Sequence, residues 1–311
     1  MNDNFLSEKS IDEYLAWATE NPIGKIPKDV SREGAGENRI PLTHLANSLP
    51  VYLIFKDILE KSKISKASIL EIGCGTGRSI SFIKESLHKK VFNIIAIDYS
   101  KACISYAQKR YGKSGVIFKS YKGKILPFKN NSFNFILSSH VIEHIPKKHQ
   151  ALFVSEISRV LKTGGMAIIG APNRKYCQDV FCLNPKDTKK YRFIMPHEHE
   201  NYLSEVHLLF SNEKRFSKYK IWQTTNLINR KLFKVSVKFI KPSKNFFSNL
   251  KFELYYILRK NSILQDFVAR LGTELQLKRK NLSHEDIIKK TSIFKKGKPD
   301  NGDNYIVMAV K

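Results

Sequence analysis

Three glycines at alternate positions, Gly73, Gly75 and Gly77, follow a short apolar run and precede a predicted helix. Glycine allows positive φ and carries no Cβ atom, so a ligand can come close to the backbone of such a turn. A strand, a glycine turn and a helix N-terminus would place backbone amides where open α/β sheets bind ligands. Arg78 stands where the dinucleotide fingerprint GxGxxG has its third glycine, which argues against a nicotinamide dinucleotide.

Asp98 ends the apolar run NIIAID, about 20 residues beyond the glycines. A carboxylate at the tip of a second strand can accept hydrogen bonds from both hydroxyls of a ribose. The alternative is that Asp98 caps the helix that begins near Ser100. Tyr99 offers an aromatic face to a purine or packs within the fold. Together with the glycine turn, Asp98 indicates a ligand that contains a nucleoside.

The segment SSHVIEHIPKKH contains four side chains that could move a proton: His140, Glu143, His144 and His149. Histidine titrates near neutral pH and can act as a general base. The alternative for His144 is that it only orders the loop before Pro146.

These residues need a scaffold of alternating strands and helices. Between residues 68 and 172, SILEI, FNIIAID, GVIFKS, FNFILSS and GMAIIGA are predicted strands, and helices separate most of them. This order is typical of a parallel, doubly wound sheet. PKKHQALFVSEISRVL predicts a helix that ends at Gly164 and Gly165. Upstream, PVYLIFKDILEKS predicts an amphipathic helix.

The C-terminal part departs from a minimal sheet. KYKIWQTT predicts the sixth strand and NYIVMAVK the seventh, and the connection between them is too long for a loop. We therefore divide the chain into an N-terminal helical cap (1–65), a core (66–223), a helical insertion (224–303) and a final core strand (304–311). The insertion either covers the substrate side of the pocket or completes the core as a helical ornament.

The formal net charge is +26, which suits RNA, an anionic membrane surface or a phosphorylated substrate. A lysine-rich composition also arises from an A- and T-rich genome, whatever the function. The four cysteines lack paired or CxxC spacing, which favours free thiols. Without an apolar membrane span or signal peptide, we expect a cytoplasmic protein that contacts membranes peripherally, if at all.

Four motifs in order, LEIGCGTG, IDYS, LPFKNNSFNFILSSHVIEHI and SEISRVLKTGGMAIIGAPN, resemble the class I S-adenosylmethionine-dependent methyltransferases of types 11 and 23. The resemblance covers roughly residues 68–173. It implies a Rossmann-like α/β fold with a seven-stranded, mostly parallel sheet, helices on both faces, and S-adenosylmethionine as cofactor. It assigns cofactor binding to Glu71, Gly73, Cys74, Gly75, Gly77, Asp98, Tyr99, Gly123, Lys124 and Ser139.

Two residues depart from the family pattern. Lys122 stands where many relatives carry an aspartate that receives the adenine amino group, and Asn134 replaces the acid of the common FD pair. An ammonium group cannot accept a hydrogen bond, whereas an amide oxygen can. Adenine is then expected to bind backbone groups or a neighbour such as Gly123 or Lys124.

The resemblance also bears on catalysis and on metal. His144 occupies the family's EH position and is the preferred base, with His140, Glu143 and His199 as the other catalytic candidates. Metal-using relatives carry ExxEH at this place, and HxxEH here lacks the first carboxylate, so no metal site is predicted. The HEHE run at 197–200 is assigned to the segment over the active site.

The predicted function is methyl transfer from S-adenosylmethionine to an oxygen of a small-molecule, glycan or lipid-linked acceptor. RNA methylation, suggested by the charge, and S-adenosylmethionine binding without catalysis are the alternatives. The sequence names neither the acceptor nor the oligomeric state.

Overall fold

The fold is that of a computed structural model that describes residues 41–64, 66–87, 90–175, 199–224 and 304–311. Its strands are β1 (Lys66–Ile72), β2 (Val91–Asp98), β3 (Val116–Ser120), β4 (Phe133–Ser139), β5 (Leu161–Pro172), β6 (Lys218–Thr224) and β7 (Asn304–Val310). Its α-helices are α1 (Pro41–Lys61), α2 (Arg78–Ser86), α3 (Lys101–Tyr111), α4 (Lys147–Val160) and α5 (Leu203–Asn212). Short 3-10 turns occupy Gly112–Ser114 and Ile142–His144.

The seven strands form one sheet in the order β3-β2-β1-β4-β5-β7-β6. The first five strands pair in parallel, and β7 runs antiparallel to both of its neighbours, β5 and β6. This arrangement confirms the predicted seven-stranded, mostly parallel sheet. The direction in which successive strands are added to the sheet reverses between β1 and β4. The crevice at the carboxyl ends of these two strands is where such sheets bind ligands.

Burial on both faces explains why the central strands are nearly continuous apolar runs. Side chains alternate along β1, so Ile69 packs in the cluster that contains α1 and α2, while Leu70 packs in the cluster that contains α4 and α5. The sheet is thus a layer between two hydrophobic cores, and Glu71 shares the α1 face with Ile69.

The helix predicted from PVYLIFKDILEKS is present as part of α1, but it is not amphipathic where it crosses the sheet. Residues 51–56 are all buried, including Lys56. The reason is that α1 contacts α2 as well as β4 and β5, so more than one side is covered. A Cβ atom on Gly170 of β5 would lie 2.4 Å from Val51 Cγ2, so the glycine lets this helix approach the sheet.

The predicted end of the fourth helix at Gly164 and Gly165 is wrong. α4 ends at Val160, and Leu161 already pairs with Phe133 as the first residue of β5. The ladder between β4 and β5 shifts register just beyond this pair. The two glycines therefore lie within an irregular strand start, where Gly164 has a φ of 75°.

The predicted sixth and seventh strands are confirmed as neighbours, with Thr224 paired to Asn304. Asn304 also pairs with Pro172, so Thr224 and Asn304, the described residues that flank 225–303, lie at the carboxyl end of β5. The insertion itself and residues 1–40 lie outside the described residues, so the domain boundaries stay predictions. Within the described residues, Cys74 and Cys103 form no disulfide, while Cys177 and Cys182 lie outside the described ranges.

No helix in the described part of the chain is both long and apolar enough to cross a membrane.

Candidate functional site

The glycine turn follows β1 directly, and all three glycines have positive φ: 80° at Gly73, 52° at Gly75 and 74° at Gly77. The amides of Gly73 and Cys74 donate to the Ile97 carbonyl oxygen at 2.8 and 3.1 Å, and the Gly77 amide donates to Cys74. These three amides therefore tie the turn to β2 and to itself.

Only one of the three glycines borders open space. A Cβ on Gly73 would lie 2.2 Å from Val141 Cγ2, and one on Gly77 would lie 2.5 Å from the Phe118 ring. At Gly75, by contrast, no heavy atom of the described residues lies within 4 Å of an added Cβ. Gly73 and Gly77 are thus required by protein packing, and Gly75 is the position where a ligand can approach the turn.

Asp98 lies at the tip of β2 and fixes both neighbouring segments. Its Oδ2 accepts from the Gly75 amide at 2.8 Å, and its Oδ1 accepts from the Ser100 amide at 2.8 Å. The cap of α3 is Ser100, whose hydroxyl oxygen accepts from the Cys103 amide. An ionised carboxylate has about four acceptor sites, so two backbone amides and two ribose hydroxyls can be accommodated together.

Tyr99 is 64% exposed beside Asp98, which leaves its ring accessible to a purine. The Lys122 ammonium lies 4.2 Å from the centre of this ring, a cation–π contact. Lys122 thus covers part of the Tyr99 ring. Gly123 and Lys124 are exposed, and an added Cβ on Gly123 would collide with the Tyr121 hydroxyl.

Asn134, the other departure from the family pattern, has a structural role. Its Oδ1 accepts from the Ser68 amide at 3.0 Å and from Lys162 Nζ at 3.2 Å. The bond to Ser68 holds the start of β1 against β4. An amide oxygen serves here, so the loss of the acid does not weaken the case for a cofactor site.

Three consecutive polar side chains end β4. Ser138 Oγ, Ser139 Oγ and His140 Nε2 are buried atoms without a hydrogen-bond partner within the described residues. Such atoms are costly unless a ligand or water completes them. His140 also has a φ of 57°, an uncommon conformation for a residue with a side chain, and such strain clusters at functional sites. Its amide donates to the Gly170 carbonyl oxygen at 2.8 Å, which fixes the conformation.

Glu143 lies beneath His140 and is 1% exposed. Its Oε1 lies 3.1 Å from His140 Nδ1. It also approaches Tyr305, where burial, and after it the charge of Glu143, raises the pKa of the phenol. Glu143 is therefore a buried side chain that can orient His140.

The remaining predicted bases lie differently. His144 is exposed at the end of the 3-10 turn, and its amide donates to the Val141 carbonyl oxygen. His149 is in the first turn of α4, where desolvation and then Lys124 and Lys148 lower its pKa. His199 is half-buried just before α5, and His197 lies outside the described residues.

Gln150 was not predicted from the sequence, yet it connects the histidine segments. It is buried in α4, and its Nε2 donates to the carbonyl oxygens of Ile142, Ile145 and His199, the last at 2.9 Å. The 3-10 turn and the chain around His199 are thus held together by one amide. The sequence signal for this role is weak, since it shows only a glutamine next to His149.

The two halves of the site meet at the contact between Val141 and Gly73. On one side lie the open position at Gly75 and the Asp98 carboxylate, which fit a nucleoside. On the other lie His140 and Glu143, which fit proton removal. Within the described ranges, no group of three or more histidine, cysteine, aspartate or glutamate residues could hold a metal ion.

The chain is similar in sequence to known methyltransferases. A methyltransferase domain family model matches residues 70–169. An uncharacterised protein of Methanocaldococcus jannaschii is 35% identical over 192 residues, which cover 60% of this chain and 83% of that protein. A phthiotriol/phenolphthiotriol dimycocerosates methyltransferase of Mycobacterium leprae is 33% identical over 49% of this chain, which spans only 50% of that enzyme. A ubiquinone biosynthesis O-methyltransferase of Rickettsia canadensis is 29% identical over 50% of this chain and 69% of its own length.

Among solved structures, a phosphoethanolamine N-methyltransferase of Haemonchus contortus in complex with S-adenosylhomocysteine has a TM-score of 0.54 and 16% identity, covering 93% of this chain and 60% of that one. An S-adenosylmethionine-dependent methyltransferase of Thermotoga maritima has a TM-score of 0.50 and 16% identity, covering 97% and 98% of the two chains. At this identity the likeness shows the shared fold.

Proposed function

This chain belongs to the class I S-adenosylmethionine-dependent methyltransferases, and we propose that it methylates a hydroxyl oxygen, with His140 as the base. The acceptor would be a small molecule, a glycan or a lipid-linked molecule. The Rickettsia relatives are ubiquinone biosynthesis O-methyltransferases, which supports transfer to oxygen.

The observation that carries the proposal is the His140–Glu143 pair at the carboxyl end of β4. A hydroxyl is a poor nucleophile until its proton is removed, so oxygen transfer needs a base near the acceptor. An ionised Glu143 carboxylate would accept from Nδ1–H, 3.1 Å away, and would so favour the tautomer with an unprotonated Nε2. Nε2 then accepts the hydroxyl proton, and the imidazolium is stabilised by the buried carboxylate.

The residues that would hold the cofactor are those of the glycine turn and the tips of β2 and β4. Asp98 would take the ribose hydroxyls, and Glu71 would orient the amino-acid end. Ser139 would contribute its buried hydroxyl beside the turn. When bound, S-adenosylmethionine supplies a methyl group on a sulfonium. What remains for the protein is to hold the acceptor oxygen in line with that group and to remove its proton.

The test is methyl transfer from S-adenosylmethionine labelled in the methyl group. The purified protein is offered simple phenols and catechols, lipid-linked glycans and tRNA in parallel. We expect label in a hydroxyl-bearing acceptor, with a methyl ether identified by mass spectrometry. Label only in tRNA would favour RNA methylation. Tight binding of S-adenosylhomocysteine without transfer to any acceptor would favour a non-catalytic binder.

Activity is also expected to need no added metal. Glu143 and His140 bind each other, and the turn lacks the first carboxylate of metal-using relatives. Turnover should therefore be unchanged after dialysis against a chelator, measured with the acceptor found above. Loss of turnover that one divalent ion restores would instead assign His140, Glu143 and His144 as metal ligands.

Contact with an anionic membrane stays a prediction from the sequence. The basic and aromatic stretches that suggest it, residues 233–247 and 251–260, lie outside the described residues.

A further inference from the structure

A hydrogen bond links the N-terminal helix to the floor of the glycine turn. The Tyr52 hydroxyl in α1 donates to Glu71 Oε1 in β1 at 2.5 Å. Both side chains are buried, at 4% and 1% exposure. Glu71 lies two residues before Gly73, on the face of the sheet that α1 covers.

The buried Glu71 carboxylate needs interactions that replace its lost hydration. Removing an ionised carboxyl from water costs several kcal/mol unless donors and nearby charges replace the lost hydration. A hydroxyl that donates to the carboxylate stabilises the ionised form and fixes the direction of its oxygen atoms. The charge also reaches the turn, because Glu71, after burial, contributes to the raised pKa of the Cys74 thiol.

The position of Tyr52 is itself fixed by packing. Its neighbour Val51 lies against Gly170, where an added Cβ would come within 2.4 Å of Val51 Cγ2. Gly170 is also the residue whose carbonyl oxygen accepts from the His140 amide. The same turn of α1 therefore contacts the strand that supports the proposed base and the carboxylate that supports the glycine turn.

We infer that Tyr52 is a positioning residue for the cofactor, and that it holds the Glu71 carboxylate ionised and oriented toward the ammonium group at the amino-acid end of S-adenosylmethionine. This inference rests on the proposed function, and it makes α1 part of the cofactor site. The expected effect of Tyr52 is on binding of the amino-acid end of the ligand only. A general effect on folding would instead weaken the binding of every ligand.

The experiment compares two ligands that differ at that end. S-adenosylhomocysteine carries the amino-acid group, whereas 5′-methylthioadenosine has the same adenosine and thioether sulfur without it. By calorimetry, Tyr52→Phe is expected to raise the dissociation constant for S-adenosylhomocysteine by about tenfold, because a hydrogen bond to a charged group is lost. The constant for 5′-methylthioadenosine should change by less than about twofold, since that ligand lacks the ammonium group.

Two further variants complete the test. Tyr111→Phe removes another buried phenol hydroxyl on the same face of the sheet and should leave the ratio of the two constants unchanged. Like Tyr52→Phe, Glu71→Gln should weaken binding of S-adenosylhomocysteine relative to 5′-methylthioadenosine. The double variant should change the ratio of the two dissociation constants little more than either single change does. Thermal unfolding without ligand shows whether each variant is folded.

The outcomes separate the inference from the function on which it rests. If the wild-type protein binds neither ligand, the cofactor assignment fails and the inference fails with it. If it binds both, but Tyr52→Phe or Glu71→Gln weakens them equally or not at all, α1 is only a structural support and the inference is overturned.

Discussion

Replacing His140 by asparagine is expected to lower kcat by about 10²–10⁴-fold, the usual contribution of a general base. Asparagine is chosen because it tolerates the positive φ observed at this position, so the backbone of the turn should survive. The dissociation constant of S-adenosylhomocysteine should stay within about twofold of the wild-type value, because the imidazole acts on the acceptor proton rather than on the cofactor.

His144 offers a matched control in the same turn. It is exposed, and we expect His144→Ala to leave kcat within about threefold of the wild-type value. Glu143→Gln should lower kcat by less than His140→Asn, because it disturbs the orientation and charge of the base without removing it. Partial rescue of a His140→Gly variant by added imidazole would support a proton-transfer role directly.

The opposite pattern would reassign the chemistry. If His144→Ala abolishes turnover while His140→Asn retains it, the base is the residue preferred from the sequence, and the His140–Glu143 pair is structural. If neither change affects turnover, the acceptor does not need a base at this turn, which would point to transfer to nitrogen or to an already ionised oxygen.

The sequence predicted the scaffold well because its signals are local. Strand periodicity, the glycine turn and the carboxylate ending β2 each occupy a few consecutive residues, and parallel strands bring their carboxyl ends to one edge. Asp98 and Gly75 were therefore predicted on the same side of the molecule, and a hydrogen bond now joins them.

The inward and outward directions of side chains were not predictable in the same way. His140, Glu143 and His144 are nearly adjacent in sequence, but the positive φ of His140 and the 3-10 turn after it direct Glu143 into the core and leave His144 exposed. A pattern of residue types contains no information about that choice. The preference for His144 follows from the family position, whereas the proposal of His140 follows from its contact with Glu143.

Contacts between distant segments were also missed. Tyr52 and Glu71 are 19 positions apart, and Gln150 reaches His199 across 49. Such pairs depend on how α1 and α4 pack on the sheet, which a single sequence without an alignment does not reveal. The sequence likewise shows Asn134 only as a replacement for the acid of the family's FD pair, whereas packing makes it the partner of the Ser68 amide.

Asp98→Ala is expected to weaken binding of S-adenosylhomocysteine by about 1–3 kcal/mol, because buried ribose hydroxyls lose a charged acceptor. The change has a second consequence, since the Asp98 carboxylate also accepts from the amides of Gly75 and Ser100. Loss of affinity alone would therefore not distinguish a ribose contact from a displaced glycine turn.

A ligand cycle makes that distinction. The wild-type and Asp98→Ala proteins are each titrated with S-adenosylhomocysteine and with its analogue lacking the ribose 2′-hydroxyl. If Asp98 binds the ribose, the analogue should bind the wild-type protein more weakly than S-adenosylhomocysteine does. The Ala variant should discriminate little between the two ligands, because the effects of removing the two partners of one hydrogen bond are not additive. Equal discrimination by both proteins would show that Asp98 acts only through the turn. The ribose would then need another acceptor, and the role assigned to the carboxylate at the tip of β2 would be wrong.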